Sequence, residues 1–216
     1  MAIISLSSSI LAALGLALPF VVTVQSPDDD SVLVEAVLAG DSDAFRGLVE
    51  RYQNRIYNII FGMVHNREDS MELAQESFIK AYRKLSTFRT DSKFYTWLCR
   101  IAVNTTIDHL RKQKLRQTSE FDENIASNTD TGLFEGHNKG NPEKEYARKE
   151  LKERIVEEVD RLPEDQKQVL VLKEVDGLSY KEIAEIVGIP QGTVMSRLYY
   201  ARKRLQEALK DQRGEG

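Results

Sequence analysis

The sequence has very little of the residue types that build covalent or metal-based sites. Its 216 residues include one cysteine, Cys99, which excludes an internal disulfide and a zinc site made of several cysteines. The three histidines lie far apart, without the spacing of a metal-binding motif. A glycine-rich phosphate loop and a nucleophile elbow are also missing. We therefore expect no enzyme, no metal site and no cofactor.

Charge is missing from residues 1–27, and the run 10–24 is apolar except for Thr23. A membrane-spanning helix needs about 20 apolar residues, and a secretory signal begins with basic residues, so neither pattern is complete. Three interpretations remain open: a membrane anchor, a packed or disordered extension, and sequence added by a start codon assigned too early. The abrupt start of the globular pattern after Pro27 favours the third interpretation.

The formal net charge is −4, but its distribution is uneven. Residues 28–50 hold seven acids and one base, and residues 118–145 hold seven acids and two bases. Residues 97–117 hold five bases and one acid, and residues 197–213 hold six bases. Two basic segments with acidic segments between them indicate two surfaces that contact DNA, with tight binding needing another protein.

Helical periodicity runs through the chain and predicts an all-α fold of two small domains. We predict an extension at 1–27, one helical domain at 28–117, a flexible acidic linker at 118–141 and a second helical domain at 142–213. Helices are expected at 31–39, after Asp41, at 67–85, 94–114 and 164–175, with Tyr82, Cys99 and Leu151 among the buried residues.

Residues 177–205 have the pattern of a helix-turn-helix. Ser179 and Glu182 form a capping box, Gly188 stands at the turn, and Val194, Leu198, Ala201 and Leu205 share one apolar stripe. The opposite side is basic and rich in hydroxyl groups, which suits the major groove of DNA.

In the helix from Phe94, aromatic residues beside a basic end are typical of single-stranded nucleic-acid binding. The alternative is that these rings are core residues.

Several segments resemble bacterial sigma factors, in particular the RpoE-like members of the extracytoplasmic-function group in the sigma-70 family. The resemblance covers about residues 28–213. The matching segments read, in order, DAF at 43–45, ELAQESFIKAY at 72–82, FR at 88–89, FYTWL at 94–98, RIAVN at 100–104, LPED at 162–165, DGLSY at 176–180, EIA at 182–184, GTV at 192–194 and SRL at 196–198. Each segment is modestly specific, whereas their joint occurrence in this order is very specific.

The resemblance implies a cytoplasmic protein of a stress or envelope response that binds core RNA polymerase and promoter DNA. It also implies sequestration by an anti-sigma factor, which could bring the protein to the membrane transiently, and no small-molecule substrate. Region 2 of the family falls on 28–117, and its polymerase contacts fall on Asp69, Glu72, Gln75 and Glu76. Its reader of the melted −10 element falls on Phe88, Arg89, Trp97, Asn104, Asp108 and Arg111. Region 4 falls on 142–213, and its −35 reader on Gln191, Thr193, Met195, Ser196, Arg197, Tyr199, Tyr200 and Lys203.

Two positions depart from the family pattern. Relatives usually have glycine where this chain has Thr90, and the β-branched residue narrows the allowed backbone of the −10 loop. Basic residues are common where this chain has Met195, so we expect −35 contacts that are less electrostatic and a different sequence preference.

The main alternative function is a stand-alone helix-turn-helix regulator that binds operators as a dimer. A membrane-anchored signalling protein and an enzyme of unrecognised type rank below it.

Overall fold

The structure is a computed structural model that describes residues 27–89, 92–119 and 142–210. These residues form helices and no strands, which confirms the all-α prediction. The helices are α1 (Pro27–Leu38), α2 (Ala44–Val64), α3 (Arg67–Lys84), α4 (Phe94–Ser119), α5 (Pro142–Asp160), α6 (Glu164–Glu174), α7 (Tyr180–Val187) and α8 (Gln191–Lys210), with a 3-10 turn at Leu85–Thr87. Residues 1–26, Thr90 and the predicted linker from residue 120 onward lie outside the described residues, so the structure does not test the predictions made for them.

The chain divides into two compact units. The first is built from α1–α4 (residues 27–119) and the second mainly from α5–α8 (residues 142–210), which we call the first and second units. In the first unit, α2, α3 and α4 pack against one another. Their fully or almost fully buried side chains form the core: Leu48, Ile56, Ile59, Ile60, Leu73, Phe78, Leu98, Cys99 and Val103. Cys99 is buried, as the sequence predicts.

Helix α1 is attached to α2 by a buried polar cluster. The Asp30 side chain, in a residue that is only 8% exposed, accepts hydrogen bonds from the Arg51 guanidinium and from the Tyr52 hydroxyl (2.5 Å). The Tyr52 ring stacks on Tyr95 of α4, with 4.9 Å between the ring centroids. Burial, the hydrogen bond to Asp30 and the charge of Asp30 raise the pKa of Tyr52 above its usual value. The cluster therefore joins three helices of the first unit.

The core of the second unit lies between α6, α8 and the C-terminal half of α5. Helix α6 is short and almost entirely buried along 167–172, and Ile155 and Val159 supply the buried part of α5. Lys167 is 8% exposed, and its ammonium donates a hydrogen bond to the Asp160 carboxylate. Burial on this scale fixes α6 as the central element against which α8 packs.

Three details differ from the sequence prediction. Helix α4 continues to Ser119, past its expected end at 114 and over the first two residues of the predicted linker. Tyr82 is 45% exposed because it lies at the rim of the core. One edge contact holds its ring there, against Phe45, with 5.1 Å between ring centroids. Leu151 is 39% exposed because the buried part of α5 begins only at Ile155.

None of the described helices is long and apolar enough to cross a membrane. Within the same residues, no group of three or more His, Cys, Asp or Glu side chains is arranged to hold a metal ion.

Candidate nucleic-acid interfaces

The turn between α7 and α8 has the geometry that its capping residues predict. The Ser179 hydroxyl accepts a hydrogen bond from the Glu182 backbone N–H (3.2 Å), and the Glu182 carboxylate accepts one from the Ser179 backbone N–H (3.0 Å). Gly188 ends α7 at a φ of 75°, in the left-handed region that favours glycine. Ile183 and Ile186 form the buried side of α7. These features fix where α8 begins.

Helix α8 has the two faces that its sequence predicts. Val194, Leu198, Ala201 and Leu205 are at most 2% exposed. The residues assigned to the −35 element lie on the same helix, and all except the half-buried Thr193 and Arg197 are exposed: Gln191, Met195, Ser196, Tyr199, Tyr200 and Lys203. The Tyr199 and Tyr200 rings contact each other edge-to-face, with 5.4 Å between centroids. The structure therefore gathers the predicted site on one helix.

Two arginines on the flanks of α8 bind carboxylates of α6. The Arg197 Nε lies 3.0 Å from Asp165 Oδ2, and the Arg202 Nε donates to Glu174 Oε1 (3.0 Å). Burial acts to lower the pKa of Arg202, but the hydrogen bond and charge of Glu174 outweigh it, so the pKa is raised. Sequence reasoning assigned Arg197 to DNA phosphates without detecting these pairs, because nothing in the local pattern reveals a partner on another helix.

A second candidate surface surrounds the start of α4. Phe88, Phe94 and Trp97 form an aromatic cluster with centroid distances of 5.3 to 5.7 Å. Phe94 and Tyr95 are at most 7% exposed and belong to the core, whereas Phe88 and Trp97 are partly exposed. Arg89, beside this cluster, is exposed. Of the two interpretations of these aromatics, the core role applies to Phe94 and Tyr95. Among the four rings, only Phe88 and Trp97 keep surface available to an unpaired base.

The polar side of α4 continues this surface. Asn104, Asp108 and Arg111, spaced by four and three residues, are exposed on one face of the helix. Lys112, Lys114 and Arg116 follow and are also exposed. The helix therefore presents hydrogen-bonding groups in its middle and positive charge toward its C-terminal end, where it can attract phosphates.

The four residues assigned to polymerase lie on α3. Glu72, Gln75 and Glu76 are exposed, and Glu76 pairs with Lys80 (2.8 Å). Asp69 is half-buried at the N-terminal end of the helix, and its carboxylate lies 3.8 Å from His109 Nε2. The first three residues share an accessible face, whereas Asp69 lies apart at the start of the helix.

An apolar groove between α2 and α3 adjoins Gln75, and sequence reasoning missed it. The groove has a cavity volume of about 520 Å³ and is lined by Val49, Gln53, Asn54, Tyr57, Met71, Ala74, Gln75, Phe78 and Ile79. Met71 and Ile79 are 50% and 51% exposed. The available signal was the presence of two large apolar residues, Met71 and Ile79, among the polar residues of the same helix.

Comparison with known proteins identifies family segments in both units. Residues 48–116 match the family model of sigma-70 region 2, and residues 152–205 match that of sigma-70 region 4. The two matched segments cover the aromatic and polar surface of α4 and the helix-turn-helix.

Similar proteins extend the match over more than four fifths of the chain. The RNA polymerase sigma-H factor of Pseudomonas aeruginosa is 41% identical over 186 residues, which are 84% of this chain and 94% of that protein. The ECF RNA polymerase sigma-E factor of Haemophilus influenzae is 42% identical over 83% of this chain and 95% of its own length. The corresponding Escherichia coli protein is 45% identical over 81% and 91%.

Two solved structures share the fold. One is CnrH in complex with the cytosolic domain of CnrY, with a TM-score of 0.62, 24% identity and coverage of 85% of this chain and 98% of that chain. The other is the sigma factor RpoE bound to the anti-sigma factor NepR from Bartonella quintana, with a TM-score of 0.58, 24% identity and coverage of 77% and 96%. At this identity the likeness supports the architecture.

Proposed function

The chain belongs to the extracytoplasmic-function sigma factors of the sigma-70 family, and we propose that its two units divide promoter recognition between them. As a sigma factor it binds core RNA polymerase and directs transcription initiation at promoters. The observation that carries this conclusion is the match of both promoter-reading regions, in order, to relatives that are 41% to 45% identical over nearly their full length. No catalytic step is assigned to the chain itself.

The second unit reads the −35 element as duplex DNA. The exposed face of α8 enters the major groove, with Gln191, Thr193, Met195, Ser196, Arg197, Tyr199, Tyr200 and Lys203 near the bases or the phosphates. Its support is the buried stripe of α8, which turns the opposite face outward, and the short turn at Gly188. A major groove about 12 Å wide admits one such helix.

The first unit holds the melted −10 element on α4 and the preceding loop. A base that leaves the stack loses a few kcal/mol of stacking and pairing, which a fitted pocket must replace. Partly exposed rings at Phe88 and Trp97 offer stacking surfaces, Asn104 and Asp108 offer hydrogen bonds, and the basic groups at Arg89 and Arg111 attract the backbone. The unit binds single-stranded rather than duplex DNA at this site.

Core polymerase binds the exposed face of α3, with Glu72, Gln75 and Glu76 at the centre of the interface and the half-buried Asp69 at its edge. The adjoining groove lined by Met71 and Ile79 supplies apolar surface next to these charges.

Each unit alone binds DNA weakly. When both units are attached to one polymerase surface, the binding of one raises the effective concentration of the other at its promoter element, so two weak contacts together give strong binding.

We further propose control by an anti-sigma factor that covers these same surfaces, in the cytoplasm or at the membrane when the partner is membrane-bound. Support comes from the two solved structures of similar fold, one of which holds a named anti-sigma factor. The inducing signal would then release the chain rather than activate a chemical step.

The polymerase interface is tested by reversing one charge. Glu76→Lys should weaken binding to core polymerase at least about tenfold, because a positive group replaces a carboxylate within the interface. The matched control is Glu35→Lys, which reverses an exposed carboxylate on α1 outside the proposed face. Affinity is measured by fluorescence anisotropy with labelled protein, and circular dichroism checks the fold. Equal affinities of both variants for the core enzyme would refute the placement of polymerase on α3.

A further inference from the structure

One side chain joins the polymerase face of α3 to the helix assigned to the −10 element. The Lys80 Nζ lies 2.8 Å from Glu76 Oε1, one turn earlier on α3, and donates a hydrogen bond to Thr105 Oγ1 of α4 (3.1 Å). Helices α3 and α4 pack against each other, and Lys80 lies where they meet. The ammonium of Lys80 therefore contacts one residue of each proposed binding surface or of its supporting helix.

The two partners of Lys80 lie in different surroundings. Glu76 is exposed, with 49% of its side chain accessible, and it belongs to the face assigned to polymerase. Thr105 is only 4% exposed, and it directly follows the exposed Asn104 on α4. Consecutive residues of an α-helix point about 100° apart, so the Thr105 hydroxyl faces α3 while the Asn104 side chain faces solvent. The hydrogen bond from Lys80 thus holds the middle of α4 from behind its −10 face.

The contact between Lys80 and Glu76 adds little to folding stability by itself. Ion pairs spaced by four residues on an exposed helix face contribute only a small amount, because water screens them. Lys80 keeps 37% of its side chain accessible, so this pair is of that kind. When polymerase covers α3, it removes the water and strengthens the attraction between the ammonium and the carboxylate. The pair therefore becomes firmer when polymerase is bound.

The chemistry of these groups allows all contacts to be made together. An ammonium has three N–H donors, which suffice for the Glu76 carboxylate and the Thr105 hydroxyl at once. The second carboxylate oxygen of Glu76, Oε2, can accept a hydrogen bond from a donor of polymerase. Polymerase can thus bind Glu76 without displacing Lys80, and the ammonium keeps the covered carboxylate paired.

Building on the proposed placement of polymerase on α3 and of the −10 strand on α4, we propose that Lys80 is a positioning residue that couples the two sites. Polymerase bound at Glu76 excludes water from Lys80 and fixes its ammonium. The ammonium in turn fixes Thr105, and with it the neighbouring Asn104, in the geometry that binds the −10 strand. Coupling between two binding sites is reciprocal, so the −10 strand tightens the binding of polymerase by the same factor.

The coupling factor is measured as a ratio of two affinities. The probe is a fluorescein-labelled single strand that carries the −10 element of a promoter transcribed by the wild type. Its dissociation constant is measured by anisotropy for the full chain alone and for the full chain bound to core polymerase. Lys80→Met removes the ammonium and keeps the unbranched stem, and Thr105→Val replaces the hydroxyl with a methyl group. Each variant should lower the coupling factor about fivefold, which lies within the range by which single residues change coupling between sites.

Further variants distinguish coupling from folding. The double variant should lose no more coupling than either single variant, because both substitutions remove the same link. Thr105→Ser keeps the hydroxyl and should keep the coupling. The matched control is Lys84→Met, which removes the same charge from an exposed position one turn later on α3 and should leave the coupling factor unchanged. In the absence of polymerase, all variants should bind the strand as the wild type does, which a loss of folding would not allow.

The outcomes separate this coupling from the proposed function. A coupling factor for Lys80→Met as large as that of Lys84→Met would overturn the coupling role while sigma activity stands. A loss with Lys80→Met but not with Thr105→Val would also overturn it, because Lys80 would then act through Glu76 alone. If Thr105→Val does not fold, Thr105→Ala, which also lacks the hydroxyl, takes its place. A wild-type chain that does not bind core polymerase, or that yields no transcript with it, would refute the proposed function and the coupling together.

Discussion

The attachment of α1 through Asp30 gives a prediction whose size follows from the structure. Asp30 is 8% exposed, and its carboxylate accepts hydrogen bonds from the Arg51 guanidinium and the Tyr52 hydroxyl. A hydrogen bond to a charged group contributes about 1.5–3 kcal/mol to stability, and breaking a buried ion pair from one side costs about 3–5 kcal/mol. Asp30→Ala should therefore lower the free energy of unfolding of the first unit by about 3–5 kcal/mol.

The single tryptophan makes this measurement specific for the first unit. Trp97 lies in α4, in ring contact with Phe88 and Phe94, so its fluorescence in urea follows the unfolding of that unit alone. With a urea dependence of about 2 kcal/mol per molar, the expected loss lowers the midpoint by about 2 M. Tyr52→Phe, which removes one donor and keeps the ring, should lower it by about half as much.

The matched control is an exposed aspartate. Asp43→Ala removes a carboxylate that is 88% exposed and lies 3.7 Å from Arg46, and exposed pairs contribute about 0–1 kcal/mol. A midpoint for Asp30→Ala as high as that of Asp43→Ala would refute the reasoning that buried Asp30 joins α1 to the unit.

Three further predictions concern single side chains. The stability advantage of the wild type over Tyr52→Phe should shrink as the pH rises above about 10, because Tyr52 with its raised pKa stays protonated in the folded state while the same tyrosine in the unfolded chain loses its proton. Urea unfolding followed by Trp97 fluorescence at pH 8 to 11 measures this difference in stability. A difference that stays constant over this pH range would contradict the prediction. Ser179→Ala should destabilise the second unit by about 1 kcal/mol through loss of the helix cap, seen as earlier loss of helical circular dichroism, and an unchanged transition would exclude a stabilising cap. Ser196→Ala should weaken use of the preferred −35 sequence by about 1–3 kcal/mol if the hydroxyl contacts a base, as measured by run-off transcription on matched and mismatched templates; equal use of both templates by wild type and variant would count against the placement of α8.

Features that depend on near neighbours in the chain were predictable. The capping box at Ser179 and Glu182, the turn at Gly188 and the buried stripe of α8 all follow from residues within a few positions of one another. The same holds for the exposed polar residues of α4, which recur at intervals of three and four.

Features that depend on distant partners were not predictable. Asp30 and Tyr52 are 22 residues apart, and Arg202 and Glu174 are 28 apart, so helical periodicity carries no information about either pair. Tyr82 fits the apolar stripe of α3, but the rim position that leaves it 45% exposed is set by the arrangement of neighbouring helices. The groove at Met71 and Ile79 arises for the same reason, because it needs residues from both α2 and α3.

Run-off transcription with purified core RNA polymerase tests the central claim most directly. The full chain is added to core enzyme and a pool of promoter fragments, and a parallel reaction contains core enzyme alone. Transcripts with defined start sites that appear only in the presence of the chain are the expected result, and the sequences upstream of those sites identify both promoter elements. A folded chain that binds duplex DNA by itself but yields no specific transcript with core polymerase would contradict sigma activity and favour a stand-alone helix-turn-helix regulator.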